Sequence, residues 1–407
     1  MKKHGVMLFT FVILFLTLGC NLAYGQEKEG NEKVTVTLDF TKEGAFGLKN
    51  SVNGYGDITN TTFKVQDLSV SLTGYAGHYI GRNKYLRLDY DANHPGQLQI
   101  SVPKPIVIDS ITMRTTNNGI FIKYKNNFLS ATEKKPIVES INSNNLTLTE
   151  SKRTGEKAKS SYITAITLTY TRPKLDATLD EKALDAESTI KGIAGENKTL
   201  ALNRTFNPSQ LYTMCLPFNL SKEMIKGIFG SETKAYSYDG YQNGELSFST
   251  VKENVVKAGM PFLMRSEYYV EQPTFAGVTV VSTTAQIVGG GEWDLCGTFG
   301  SYELAADGTQ LFLTAKGTLA RPEAGLQTMR GFRCYLKKAA GTANASAQLP
   351  SVTIDGETNA IKTAEYAAPT SATTRYSLSG MKLNEGCKTA NGGIMIIDGK
   401  KFITTNR

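Results

Sequence analysis

The chain is poor in the side chains that carry most enzyme chemistry. Only 3 histidines occur in 407 residues. His4 lies in the N-terminal leader, which leaves His78 and His94. A Ser-His-Asp or Cys-His site built in the second half alone is therefore excluded. There is no His-Glu-x-x-His helix, no phosphate-binding loop, and no Gly-x-Gly-x-x-Gly after a strand. No cysteine pair has zinc-ligand spacing. Nothing resembles a recognition helix or a stacked-aromatic nucleic-acid motif. Beyond Leu18 no run is long and apolar enough to span a membrane. Helical periodicity is scarce, so parallel α/β is excluded. These absences read as a non-catalytic chain with no cofactor, no bound metal and no nucleic-acid partner.

Charge and cysteine are also sparing. The formal charge is +8, and loss of Lys2 and Lys3 with the leader leaves +6. On about 380 mature residues, enough for two or three domains, that excess reads as a solvated surface. Of the 5 cysteines, Cys20 lies in the leader; Cys215, Cys296, Cys334 and Cys387 remain. Export permits disulfides, but the count is low, so the cores must hold without them. Cys334 shares an apolar strand face with Phe332 and Leu336, the setting of a free buried thiol.

What is there begins with an export signal. Lys2 and Lys3 precede the apolar stretch Val6 to Leu18, and Ala23-Tyr24-Gly25 gives a small-x-small cleavage pattern. Residues 1–25 read as a secretory signal peptide, with the mature chain starting at Gln26. The competing reading is a lipid anchor at Cys20, with Thr17 where a lipobox carries Leu. Either way the chain leaves the cytoplasm.

Residues 32–172 read as an N-terminal β-sandwich domain. Val34 to Phe40, Phe63 to Leu72, Tyr85 to Tyr90, Gln97 to Val102, Val107 to Met113 and Tyr162 to Tyr170 alternate apolar with polar, and Gly, Asn and Pro punctuate between them. That pattern belongs to a jelly-roll or Ig-like sandwich. Within it, Tyr75, His78, Tyr79, Arg82 and Asn83 share a Gly-rich stretch. They are the candidate ligand-binding residues, because aromatic faces stack on sugars while Arg and Asn hydrogen-bond hydroxyls. The competing role is packing over the sandwich edge. Leu38-Asp-Phe40, Tyr85-Leu-Arg-Leu-Asp-Tyr90, Ile108-Asp-Ser-Ile-Thr-Met113 and Ile163 to Tyr170 resemble the N-terminal β-sandwich modules of secreted proteins of the Bacteroides group. Such modules often carry a Trp in their second half, whereas the single Trp here is Trp293.

Arg172-Pro173 through about Asp185 reads as a polar linker. Residues 186–362 then form a second β-rich domain around Tyr212 to Phe218. Tyr212, Met214, Leu216 and Phe218 alternate, and Pro217 ends the pairing. Ser221 is placed to cap one short helix, Leu220 and Ile225 to staple it, and Gly230 to close it in a left-handed conformation. Asn243-Gly244 signals a hairpin. Tyr236, Tyr238 and Tyr241 are candidates for a second aromatic platform, with cross-strand packing the more ordinary role. Gly289-Gly-Gly-Glu292-Trp293-Asp294 sets two carboxylates beside the Trp and reads as a loop. Leu211 to Phe218, Ala258 to Met264, Gly297-Thr-Phe299 and Gly331 to Leu336 resemble, in this order, segments of largely uncharacterised Bacteroides-group cell-surface and extracellular proteins. That resemblance implies location and fold, and no catalytic residues come with it.

Ala364 to Thr374 is a linker by composition. Residues 375–407 read as a short C-terminal β-hairpin unit, with Asp398-Gly399 as its turn. The unit resembles type IX secretion sorting tails, with Met381-Lys382 where Gln or Arg is usual. The whole is expected to be all-β: two sandwich domains plus the hairpin unit. The expected function is that of an exported surface or secreted protein, at the outer membrane surface, outside the cell or in the periplasm. Its expected partner is a glycan or a host or matrix glycoprotein. The rivals are a structural envelope component and, more weakly, a polysaccharide-acting hydrolase.

Overall fold

The structure is a computed structural model. It describes residues 30–51, 58–79, 84–116, 121–125, 127–129, 137–152, 155, 157, 160–208, 210–314, 318–323, 328–341 and 349–358, and, in the tail, 375–377, 382–383, 394–397 and 400–403. The leader, Arg82, Asn83 and Cys387 lie outside the described residues. The fold is all-β, with several sheets and two short α-helices, Ala186–Ile193 (α1) and Lys222–Phe229 (α2).

In the first unit two sheets face each other. One has the strand order Ile137–Ser143, Val107–Thr115, Ser161–Pro173, Tyr85–Leu88, Ala76–Tyr79, and Asn31–Asp39 also pairs with Ser161–Pro173. Period-2 alternation drives it, with one register shift between Ile163 and Ala165: Leu38, Leu86, Leu88, Ile163, Ile166 and Leu168 are fully buried. The opposing sheet contains Thr61–Val65, Leu68–Thr73, Gln97–Ser101, Asn145–Glu150 and Ile122–Tyr124. The run Phe63 to Leu72, read from the sequence as one strand, is a hairpin. Val65 pairs with Leu68 across Gln66-Asp67, and Gln66 takes a positive φ of 53°.

The second unit holds a six-stranded sheet that includes Leu211–Cys215, Pro261–Arg265, Lys234–Gln242 and Glu245–Thr250. A five-stranded sheet centred on Trp293–Thr298 and Arg333–Lys338 accompanies it. Leu211, Tyr238, Phe248, Leu263, Trp293, Leu295 and Leu336 form one buried cluster between these strands. The Asn243-Gly244 hairpin forms as expected, with Gln242 facing Glu245 and both turn residues at positive φ. α2 also forms as expected: the Ser221 hydroxyl accepts from the Met224 N–H at 3.1 Å, and Ile225 and Phe229 are buried. Gly230 ends it at φ 114° and ψ 154°, a positive-φ conformation open to glycine but outside the expected left-handed helical region. The position also requires glycine for space, because a Cβ here would lie 2.4 Å from a Glu267 carboxylate oxygen.

Two findings depart from the expected plan. Residues 173–185 are structured. Ala177–Asp180 adds in parallel to Gly195–Asn203, and Asp185 then caps α1 by accepting from the Ser188 N–H at 3.0 Å. Three of the charged residues that suggested a linker, Arg172, Asp176 and Glu181, are held in ion pairs. Arg172 binds Asp67 and Glu32, both at 2.8 Å, and Glu181 binds Arg330 and Arg333, both at 2.6 Å. The second departure is that one sheet belongs to both units. Thr61–Val65 pairs in parallel with Tyr269–Glu271, whose other edge pairs with Thr205–Phe206.

In the tail, Ile394–Ile397 pairs antiparallel with Lys400–Ile403, with Ile397 facing Lys400 across the expected Asp398-Gly399 turn position. Among the described residues no helix is long and apolar enough to cross a membrane.

Candidate functional site

The candidate loop residues do not act as one group. The parity of Ala76–Tyr79 turns His78 inward and Tyr79 outward. His78 is fully buried: its Nε2 lies 2.9 Å from the Phe40 carbonyl, and its N–H donates to the Ser51 hydroxyl at 2.9 Å. Burial holds its pKa below the usual imidazole value, against the opposing pull of its backbone contacts. His78 is thus a core histidine. Tyr75 is half-buried, with the edge of its ring on His94 at 6.0 Å.

Tyr79 joins a different set. Tyr79 faces Tyr85 across the ladder, and Tyr162 faces Arg87 across the next one. The inward positions Leu86, Leu88 and Ile163 anchor these strands, so Tyr79, Tyr85, Arg87 and Tyr162 share the outer face. The Tyr79 and Tyr85 ring centroids are 5.3 Å apart, and Tyr85 and Tyr162 stack at 4.7 Å. Arg87 lies over the Tyr162 ring at 5.8 Å, and its Nε donates to Asp89 Oδ1 at 2.6 Å. The Ser160 hydroxyl donates to the same oxygen. Burial raises the pKa of both Tyr79 and Tyr85, so both phenols stay neutral, but the Tyr79 hydroxyl is itself buried and lacks a hydrogen-bond partner among the described residues.

Behind this row the two sheets meet. Asp89 N–H donates to the Tyr75 carbonyl, Gly96 N–H to the Asp89 carbonyl, and Glu150 N–H to the Gly96 carbonyl, at 3.0, 2.8 and 2.8 Å. Gly96 is required at this crossing, because a Cβ would lie 2.4 Å from the Tyr75 carbonyl oxygen. Glu150 ends a strand whose Leu146 and Leu148 point into the core, and it follows their parity. Asp89 and Glu150 are only 2% and 1% exposed. Among the described residues Asp89 Oδ2 and both Glu150 carboxylate oxygens lack a hydrogen-bond donor. Burial pushes Glu150 up to about 8; Ser161 opposes the rise and the Asp89 charge adds to it. Glu150 is therefore held neutral at pH 7.

The other candidate positions resolve as packing. Tyr236 and Tyr238 are buried; Tyr238 packs on Phe248 at 5.1 Å and donates to the Trp293 carbonyl at 2.8 Å. Trp293 is buried, Glu292 pairs with Lys338 at 3.3 Å, and Asp294 accepts from the Gly290 N–H at 3.2 Å. Cys215, Cys296 and Cys334 are free and buried, and burial raises each thiol pKa, Cys296 to about 11 and Cys334 to about 12. Among the described residues no three His, Cys, Asp or Glu side chains are grouped to hold a metal.

Sequence reasoning missed Tyr85, Arg87 and Tyr162. Their outward parity is readable within each strand, but the cross-strand register that gathers them is not. A scan against protein-family models finds no match to this chain, and a search of curated proteins finds none either.

Proposed function

We propose that this chain is an exported, non-catalytic glycan-binding protein whose contact face is the row Tyr79–Tyr85–Tyr162 with Arg87. One observation carries the reading: three tyrosine rings form a contiguous row on the outer face of a sheet, two of them stacked, and the row ends on a guanidinium fixed by a buried carboxylate. The aromatic rings offer apolar contact to sugar C–H groups, and the Tyr85 and Tyr162 phenols and Arg87 offer hydrogen bonds to hydroxyls. Preorganisation by Asp89 lowers the ordering cost of Arg87 on binding. Glu150 and Asp89 lie beneath the row and support it. Export to the outer membrane surface or beyond follows from the leader and from the resemblance to Bacteroides-group surface proteins. A glycan or a matrix glycoprotein is the fitting partner.

A glycan array and affinity electrophoresis of the mature protein test this reading. Retention by at least one polysaccharide is expected, with Tyr85→Ala and Tyr162→Ala each weakening it about tenfold, the loss of one aromatic contact of roughly 1.5 kcal/mol. No retained glycan, or retention unchanged in both variants, sinks it. A structural envelope role is the second reading, favoured by the sheet that ties the two units together. Ordered self-assembly of the purified protein is the outcome that selects it.

A further inference from the structure

A recess of about 270 Å³ lies beside α2, away from the tyrosine row, between that helix and the strands Lys234–Gln242, Glu245–Thr250 and Val255–Val256. Its floor is aliphatic: Leu220, Ile225, Ala235 and Val256 are buried, and Val251 is half-buried. No aromatic ring lines it, so it offers a neutral sugar no stacking surface. Val255, at its wall, is one of the few large apolar side chains left exposed.

The rim carries Lys222, Lys226 and Lys234 against Glu232 and Glu253, all exposed. Two of these lysines are placed against local electrostatics. Lys222 opens α2, where the helix dipole disfavours a cation. Lys226 follows four residues later on the same face, a spacing that makes like charges repel. Neither lysine has an ion pair among the described residues. An anion seated between the first two ammonium groups relieves both penalties at once.

We propose that this recess binds a small aliphatic carboxylate, its hydrocarbon chain on the Leu220–Ile225–Val256 floor and its head between Lys222 and Lys226. The volume lies just under the roughly 300 Å³ at which drug-sized pockets begin, which limits the ligand to a short chain.

Calorimetric titration of the mature protein with sodium hexanoate tests this, with acetate and 1-hexanol as probes of head and chain alone. Saturable hexanoate binding is expected, with acetate and hexanol each about tenfold weaker or more, since each probe lacks one of the two contacts. Lys222→Ala/Lys226→Ala should weaken hexanoate by about tenfold or more while retaining the wild-type circular dichroism, with a Tm equal to or above that of the wild type because the two electrostatic penalties are removed. Lys226→Glu, which reverses one charge on an exposed position, should abolish it. Hexanoate that fails to saturate at tens of millimolar overturns the proposal, on the scale of the weakest specific sites. So does hexanol binding as well as hexanoate, or binding that is unchanged in both lysine variants.

Discussion

At the scale of single residues, Glu150 carries the clearest physical consequence. It is 1% exposed, and burial raises it from 4.5 to about 8. The unfolded chain releases this proton near its ordinary value, while the folded chain keeps it. Its contribution to stability is therefore most favourable below about pH 4.5, falls by about 1.4 kcal/mol per pH unit on the way to pH 8, and is flat above that. Other carboxylates, among them Asp39 and Asp355, are shifted downward, and their stabilisation is lost in acid, so the comparison must be with a variant rather than with pH alone. Glu150→Gln should unfold at higher urea than wild type at pH 8, by a few kcal/mol, with the gap closing toward pH 4.5. A gap that stays constant with pH means that Glu150 is not neutral in the fold. The sequence allowed half of this corner to be read. It marked Tyr79 as a binding candidate, but it grouped His78 with it, because neighbouring residues in a loop share a surface while neighbours in a strand face opposite ways.

At the scale of elements, local signals were sufficient for α2 and insufficient for α1 and Ala177–Asp180. α2 has a cap, a staple and two buried large side chains, all within one window. α1 buries only Ala186 and Ile190, and the parallel strand before it gains its partner more than twenty residues later. Glu181 holds this segment down. Its carboxylate, 4% exposed, meets Arg330 and Arg333 at 2.6 Å and Arg204 at 3.8 Å. Arg204 is itself buried between Phe206 and Tyr212, and burial first, then the Arg333 charge, pulls it down to about 9 against the opposing effect of Glu181. Glu181→Ala strips the carboxylate from a buried cation and should destabilise the protein by roughly 3–5 kcal/mol. Urea unfolding measures the loss. Limited proteolysis near Leu184, which is 83% exposed, should quicken in the same variant. A change within about 0.5 kcal/mol, the range of an ordinary surface substitution, removes Glu181 from this role.

At the scale of the whole molecule, the deciding feature is the ladder between Thr61–Val65 and Tyr269–Glu271. Phe63 faces Tyr269 and Val65 faces Glu271, and Gln66 N–H continues the ladder to the Glu271 carbonyl at 2.8 Å. Gln66 also donates to Gln272 at 3.1 Å, and Lys64 donates to the Gly227 carbonyl at the end of α2. Phe46 stacks on Phe63 at 4.7 Å and meets the Tyr269 ring edge-on at 6.2 Å. The composition implied separate domains, and no local pattern could reveal this join. A parallel pairing between segments some 200 residues apart leaves no turn residues to read. One aromatic contact across the join, Phe46 on Tyr269, and a short run of hydrogen bonds couple the units by an amount on the order of a few kcal/mol. Coupling of that size merges two transitions into one when the separate stabilities differ by less. Scanning calorimetry of the mature protein should therefore give a single transition for residues 30–358, with calorimetric and van't Hoff enthalpies equal. Tyr269→Ala removes a half-buried ring from the join while leaving the backbone ladder in place. It should split or broaden the transition, and should do so more than Tyr241→Ala, which removes an equal ring from a hairpin inside one unit. Two transitions in the wild type, or equal broadening by both variants, leave the shared sheet without a coupling role.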